Sequence, residues 1–249
     1  MSRSDNFALY AAYYNLLYAD KDYAAEANYV SELLLTYGKN VKTILEFGSG
    51  TGRHGKLLQE MGYFVQGIER SEMMIEIARA GGFTCTKADI SEYYSDQKYD
   101  SVISLFHVIS YLNENDKLIA TFENAAKHLS DGGLFVFDVW YSPAVFTSKA
   151  ETRVRRIESA EMEIIRIAEP KTLVNKNVIE VNFNILVKNH ENQIINELNE
   201  IHPMRHFTIP EIELLAKLTG FEVICAQSFL DGGEPSEHTW GVCFVLRKI

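Results

Sequence analysis

The run Thr43-Ile44-Leu45-Glu46-Phe47-Gly48-Ser49-Gly50-Thr51-Gly52 constrains this chain more than any other segment. Its first half is a short apolar stretch with strand character, its second half is a glycine cluster, and a helical pattern runs on from about Arg53 to Met61. Strand, glycine turn and helix open a βαβ unit. A turn without Cβ atoms lets backbone N–H groups approach a ligand at the start of the following helix.

The pattern then repeats. Strands are expected at Phe64–Ile68, Thr84–Lys87, Ser101–Leu105 and Leu134–Val139, with helices at Glu72–Ala80 and Lys117–Leu129. Alternation of this kind predicts a parallel, doubly wound α/β sheet that binds ligands at the carboxyl ends of its strands. Residues 41–143 form this core. Upstream, Phe7 to Tyr37 is rich in Ala, Leu, Tyr and Glu without proline, which predicts two helices broken near Ala19-Asp20-Lys21; residues 1–40 read as an N-terminal helical cap. After Pro143 the texture changes. Thr152–Ala168, Val178–Lys188 and Gln193–His202 alternate or are β-branched, so residues 144–206 read as an antiparallel insert over the active-site edge. Residues 207–249 return to the core, with a helix over Ile209–Thr219 and strands at Phe221–Phe229 and Trp240–Arg247.

A chain of 249 residues supports one large core with an insert rather than two full domains. The formal net charge of -10 argues against nucleic acid as a partner, because phosphate contacts need clustered Lys and Arg. A small-molecule acceptor fits better. Cys85, Cys225 and Cys243 lie far apart, so neither a disulfide framework nor a metal site is indicated. Met1-Ser2-Arg3-Ser4-Asp5 leads into no apolar signal core, and no stretch reaches the ~20 apolar residues of a membrane span. A cytoplasmic protein without membrane contact is the expectation; strands exposed in the insert permit a homodimer.

Three marks define the ligand. The first is the glycine turn. Gly50, Gly52 and Gly55 match the dinucleotide fingerprint, so a nicotinamide enzyme stays open; counted from Gly48, the first glycine after the strand, the spacing is instead G-x-G-x-G. The second is Glu69, 21 positions after Gly48 at the end of the next strand, where a carboxylate can accept both hydroxyls of a ribose. The third is Asp89 in Lys87-Ala88-Asp89-Ile90, after the third strand, where a carboxylate can pair with an adenine amino group.

With these marks in order, and a final strand pair closing the chain, the sequence resembles the class I S-adenosylmethionine-dependent methyltransferases. The resemblance implies a Rossmann-like, seven-stranded sheet. It also implies that Glu46, Phe47, Gly48, Ser49, Gly50 and Gly52 hold the amino-acid part of the cofactor, Glu69 and Arg70 the ribose, and Asp89 with Ile90 the adenine, with His54 and Leu105 also lining the pocket.

A narrower resemblance rests on Tyr14-Asn15-Leu16-Leu17-Tyr18, Lys21-Asp22-Tyr23-Ala24-Ala25-Glu26-Ala27, Gly50-Thr51-Gly52-Arg53-His54 and Trp140-Tyr141-Ser142-Pro143. These are similar to bacterial N-methyltransferases of nucleotide-linked amino sugars. By that analogy Tyr14 and Tyr23 line the cofactor pocket, while Tyr111 and the Trp140-Tyr141 pair face the sugar. His107, just past the fourth strand, is the candidate helper base, Tyr18 and Tyr111 are further catalytic candidates, and Arg205, at the end of the insert, is a candidate contact to the acceptor. Tyrosine faces suit a sulfonium cation, an attraction worth about 0.5–2 kcal/mol. One departure stands out. Relatives carry an arginine soon after the glycine pair that here is Gly232-Gly233, whereas this chain reads Glu234-Pro235-Ser236-Glu237-His238-Thr239-Trp240, which puts a nucleotide-diphosphate handle in doubt. The alternatives are an O-methyltransferase of a sugar hydroxyl or small acid, and a cofactor-binding protein without turnover.

Overall fold

The computed structural model describes residues 14, 16–191 and 193–249. The chain divides into two units. One holds residues 22–148 and 205–249, the other residues 149–204 with the segment before Asp22.

In the larger unit, strands β1 (Thr43–Phe47), β2 (Phe64–Glu69), β3 (Cys85–Lys87), β4 (Tyr99–Ser104) and β5 (Leu129–Tyr141) lie parallel in the order β3-β2-β1-β4-β5. The hairpin of β10 (Phe221–Ser228) and β11 (Gly241–Lys248) completes the sheet, with β11 antiparallel to β5. Seven strands with one antiparallel member match the expected Rossmann-like fold. The order reverses at β1 and β4, and it is at such a switch point that the crevice of an open α/β sheet forms.

Helices α1 (Tyr23–Tyr37), α2 (Arg53–Glu60), α3 (Glu72–Ala80), α4 (Asn115–His128), α5 (Ser142–Thr147) and α6 (Ile209–Leu218) accompany the sheet. Their starts are written locally. Asp22, Ser71 and Thr208 each accept an N–H three residues on, so α1, α3 and α6 begin with a side-chain cap. The fully buried runs of β1, β4 and β5 pack on both faces, one cluster centred on Phe47, Phe122, Phe135 and Phe137, the other on Leu34, Ile44, Phe83 and Val245.

The smaller unit contains β6 (Arg153–Glu158), β7 (Met162–Leu173), β8 (Val178–Asn189) and the first part of β9 (Ile195–Phe207). It has four strands where three stretches were expected. Thr152–Ala168 is broken by a tight turn in which Ser159 N–H donates to the Met162 carbonyl, while the Ser159 hydroxyl accepts from the Glu161 and Met162 amides. The expected cap of residues 1–40 is divided as well. Leu17 packs with Ile164, Ile185 and Val187 of the insert, whereas Ala27, Val30 and Leu34 of α1 belong to the sheet core. The first of the two expected helices lies largely outside the described residues.

Candidate active site

The glycine turn leaves β1 with two anchors, the N–H groups of Gly48 and Ser49, which donate to the Ile68 carbonyl at 2.9 and 3.0 Å. Its glycines differ in what surrounds them. At Gly52 (φ 76°) and Gly55 an added Cβ would sit 2.4 Å from the Phe83 ring, so these two let α2 pack closely. At Gly50 (φ 55°) an added Cβ meets nothing within 4 Å. Gly50 is therefore the position where the turn faces open space.

Beneath it lie two acids. Glu46, at the end of β1, is 2% exposed and its Oε2 has no partner. Glu69, at the end of β2, accepts the Gly50 N–H at 3.0 Å and the Ser71 N–H at 2.7 Å, leaving each oxygen one lone pair for a ribose hydroxyl. Burial pushes Glu46 up to about 8, the negative charge of Glu69 adds to this, and the Gly55 N–H opposes it. A buried carboxyl with one oxygen unpartnered, under the negative charge of a second acid, is a place for a cation.

Asp89 follows β3. Burial alone would push the Asp89 carboxyl up, but the Ser91 hydroxyl and amide, donating at 2.6 and 2.9 Å, with Lys117 and Arg70, outweigh this and hold it below the usual carboxylate range. Ile90 beside it is half-buried, with its carbonyl taken by the Asn124 amide at 2.8 Å. Arg70 is exposed, and Ser49 and Leu105 are buried. Phe47 belongs to the core: its ring meets Phe135, and its carbonyl accepts the Ser104 hydroxyl.

The starts of α1 and α2 meet. His54 Nε2 lies 2.6 Å from Glu26 Oε2, both side chains being buried, the His54 ring is 4.9 Å from Tyr23, and the Arg53 guanidinium lies over the same tyrosine. Tyr14 and Tyr18 belong to the smaller unit, with their rings 4.8 Å apart. Burial raises the Tyr18 phenol, and Arg166 tempers the rise.

Past β4 the backbone turns sharply. Phe106 and His107 are consecutive left-handed residues with φ 64° and 60°, a conformation costing about 1–3 kcal/mol each without glycine. Asp138, fully buried on β5, holds the turn: its two oxygens accept the His107 N–H at 3.2 Å, and Oδ2 lies 2.6 Å from His107 Nδ1. Burial would raise Asp138, yet the charge of His107, the hydrogen bonding from its side chain and N–H, and the charge of His54 together outweigh it and hold the carboxyl below the usual carboxylate range. Trp140 lies 6.2 Å from His107, ring to ring, and 5.3 Å from Trp240, and its N–H donates to the Ser110 hydroxyl. Tyr141 is half-buried against the core, and Tyr111, in a short turn, is 38% exposed. Arg205 has its terminal nitrogens on Asn115 and Glu211 at 2.8 and 2.6 Å, ties that hold the end of β9 to α4 and α6.

Glu26 and Asp138 escaped the sequence reading. The signal for Asp138 is a lone charge in the apolar run Leu134-Phe135-Val136-Phe137-Asp138-Val139-Trp140; for Glu26 it is an acid beside the buried Ala27. Among the described residues no three His, Cys, Asp or Glu side chains are grouped to hold a metal ion. No helix there is long and apolar enough to cross a membrane.

A family model described as a methyltransferase domain matches residues 18–226. The chain belongs to this methyltransferase family. As the family implies, it is a methyl-transferring enzyme. This methyltransferase is 26% identical over 230 residues to a dTDP-3-amino-3,4,6-trideoxy-alpha-D-glucopyranose N,N-dimethyltransferase of Streptomyces venezuelae, covering 90% of the chain and 93% of that relative. Its fold is that of a sugar N-methyltransferase from Streptoalloteichus, with TM-score 0.80 at 22% identity over 93% of this chain and 92% of the other. It also matches an amino pentose methyltransferase from Micromonospora echinaspora, solved with S-adenosylmethionine bound, with TM-score 0.78 at 20% identity over 97% of each.

Proposed function

We propose that the methyltransferase uses S-adenosylmethionine to methylate the amino group of an amino sugar carried on a nucleotide. The observation that carries the cofactor is the buried Glu46, whose Oε2 has no partner, together with Glu69, which accepts the N–H of the open Gly50 turn. S-adenosylmethionine brings a sulfonium and an ammonium to these acids, and a ribose whose hydroxyls suit Glu69; when bound it supplies an electrophilic methyl group. The amino-sugar part rests on the relatives, which act on such sugars.

In this reading Glu46 and the turn from Gly48 to Gly52 hold the amino-acid end, Asp89 and Ile90 receive the adenine, and Tyr23 with His54 closes the near side. Trp140, Tyr141 and Tyr111 orient the sugar. The amine needs little activation: with a pKa near 8, deprotonation at pH 7 costs about 1.4 kcal/mol, far less than alignment can supply. His107 takes the proton. The larger share of the rate comes from orientation.

The test begins with thermal shift. S-adenosylhomocysteine at about 100 times its dissociation constant adds roughly 2.7 kcal/mol of stability. A shift with it and none with NAD(P) is expected, followed by methyl transfer to amino-sugar nucleotides. A shift with NAD(P) alone overturns the proposal. The His107–Asp138 contact favours one second reading, methylation of a sugar hydroxyl, because a hydroxyl needs a true base. His107→Asn separates the two: near-complete loss of turnover points to a hydroxyl, a modest loss to an amine.

A further inference from the structure

Asp138 is a fully buried acid within the apolar strand β5. A carboxylate in the middle of an apolar strand costs several kcal/mol to desolvate unless something nearby repays it. It sits directly opposite Cys243 of β11, between Phe137 and Val139, with no solvent exposure. The charged or titratable groups facing it are His107 from the turn after β4, His54 from α2, and Cys243, whose thiol burial keeps neutral. Among the described residues its polar contacts come from His107, whose backbone N–H donates to both oxygens and whose ring Nδ1 lies 2.6 Å from Oδ2, with the ring N–H off the line of a hydrogen bond. The same contact holds two consecutive residues in the left-handed conformation. Strain and a buried charge are thus both spent on the placement of one imidazole.

We propose that Asp138 is the positioning residue of the site: its buried carboxylate, 2.6 Å from His107 Nδ1, draws the ring proton to that nitrogen, fixes that tautomer, and so leaves Nε2 unprotonated to receive a proton from the acceptor. The inference rests on the reading that this enzyme methylates an ammonium-bearing acceptor. In the step assigned, an N–H bond of the acceptor's ammonium breaks and its electron pair stays on nitrogen as the nucleophile. The proton forms an N–H bond at His107 Nε2, and the imidazolium that results is held against the Asp138 carboxylate. Asp138 itself keeps no proton. An asparagine in its place presents an amide N–H to Nδ1, which then accepts, so the imidazole proton moves to Nε2 and the acceptor site is lost.

The experiment reads the tautomer directly in the free protein. Two-bond 1H–15N spectra near neutral pH distinguish Nδ1–H from Nε2–H, and the signal that disappears in His107→Asn assigns His107 among the seven histidines. The expected result is Nδ1–H in the parent and Nε2–H in Asp138→Asn, with S-adenosylhomocysteine binding within about twofold of the parent. With an amine acceptor, Asp138→Asn should show the same modest loss as His107→Asn, up to about tenfold in kcat with little change in KM. A parent His107 protonated at Nε2, or an Asp138→Asn spectrum unchanged from the parent, overturns the proposal; so does parental kcat in Asp138→Asn. If that variant does not fold, the parent spectrum decides alone. Absence of methyl transfer to every amine, with the Nδ1–H tautomer present, overturns the amino-sugar reading and leaves the placement of His107 standing.

Discussion

Replacing Glu46 with glutamine tests whether the buried acid beneath the glycine turn is held protonated. Its carboxyl is pushed from an ordinary 4.5 up to about 8, by burial first and by Glu69 second. The folded protein then keeps a proton that the unfolded chain has already released. Stability from this group is fully present below pH 4.5 and falls as the pH rises through 8. At ~1.4 kcal/mol per unit, the loss comes to about 1 kcal/mol at pH 5, about 3 at pH 7 and about 5 at pH 9. Glutamine keeps the shape of the neutral acid and does not titrate, so the difference between parent and Glu46→Gln isolates this one group. For a chain of this size each kcal/mol is worth about 2–4 °C. Scanning fluorimetry of both proteins without ligand should show the parent's Tm falling, relative to the variant, by roughly 8–16 °C between pH 5 and pH 9. Parallel curves would refute a raised Glu46, and a parent that gains on the variant would mean that the carboxylate is stabilised by a partner.

Further outcomes follow from the same geometry. Binding of S-adenosylmethionine near pH 7 should release protons, because its cations favour ionised Glu46; calorimetry in buffers of differing ionisation heat should give different apparent enthalpies, and equal ones would count against the cation site. Gly50→Ala should cost only the ~1–2 kcal/mol of a left-handed alanine, yet weaken S-adenosylhomocysteine binding, whereas Gly52→Ala should destabilise far more through its clash with Phe83; equal Tm losses would contradict this division. His206 is buried against Ser142 and lowered to about 4, by burial first and Arg205 second, so its contribution to stability is present above pH 6.5 and lost as the pH falls through 4. His206→Gln should flatten the acid side of the Tm profile between pH 6.5 and 4, and an unchanged profile would show that His206 is not held neutral. Glu26→Ala removes the buried hydrogen-bond partner of His54 and should cost roughly 1–3 kcal/mol, read by urea denaturation.

The core was legible because its signals are local. An apolar run followed by glycines and an acid ending the second strand each declare themselves within a few residues, and β1 and α3 come out with the bounds read from the sequence. The insert was less legible, since alternation over Thr152–Ala168 does not reveal that Ser159 bends the chain back on itself. Asp138 was illegible for a different reason. Its meaning lies in His107, 31 positions earlier in the turn after the neighbouring strand β4, and adjacency across a parallel sheet follows from strand order rather than from spacing. The same limit applies within the glycine motif itself. Gly50 and Gly52 are the same letter two positions apart, but one faces open space and the other faces Phe83, which arrives from 31 residues downstream before β3. A motif therefore shows where a backbone must approach something closely; whether that something is a ligand or a phenylalanine is decided by tertiary packing.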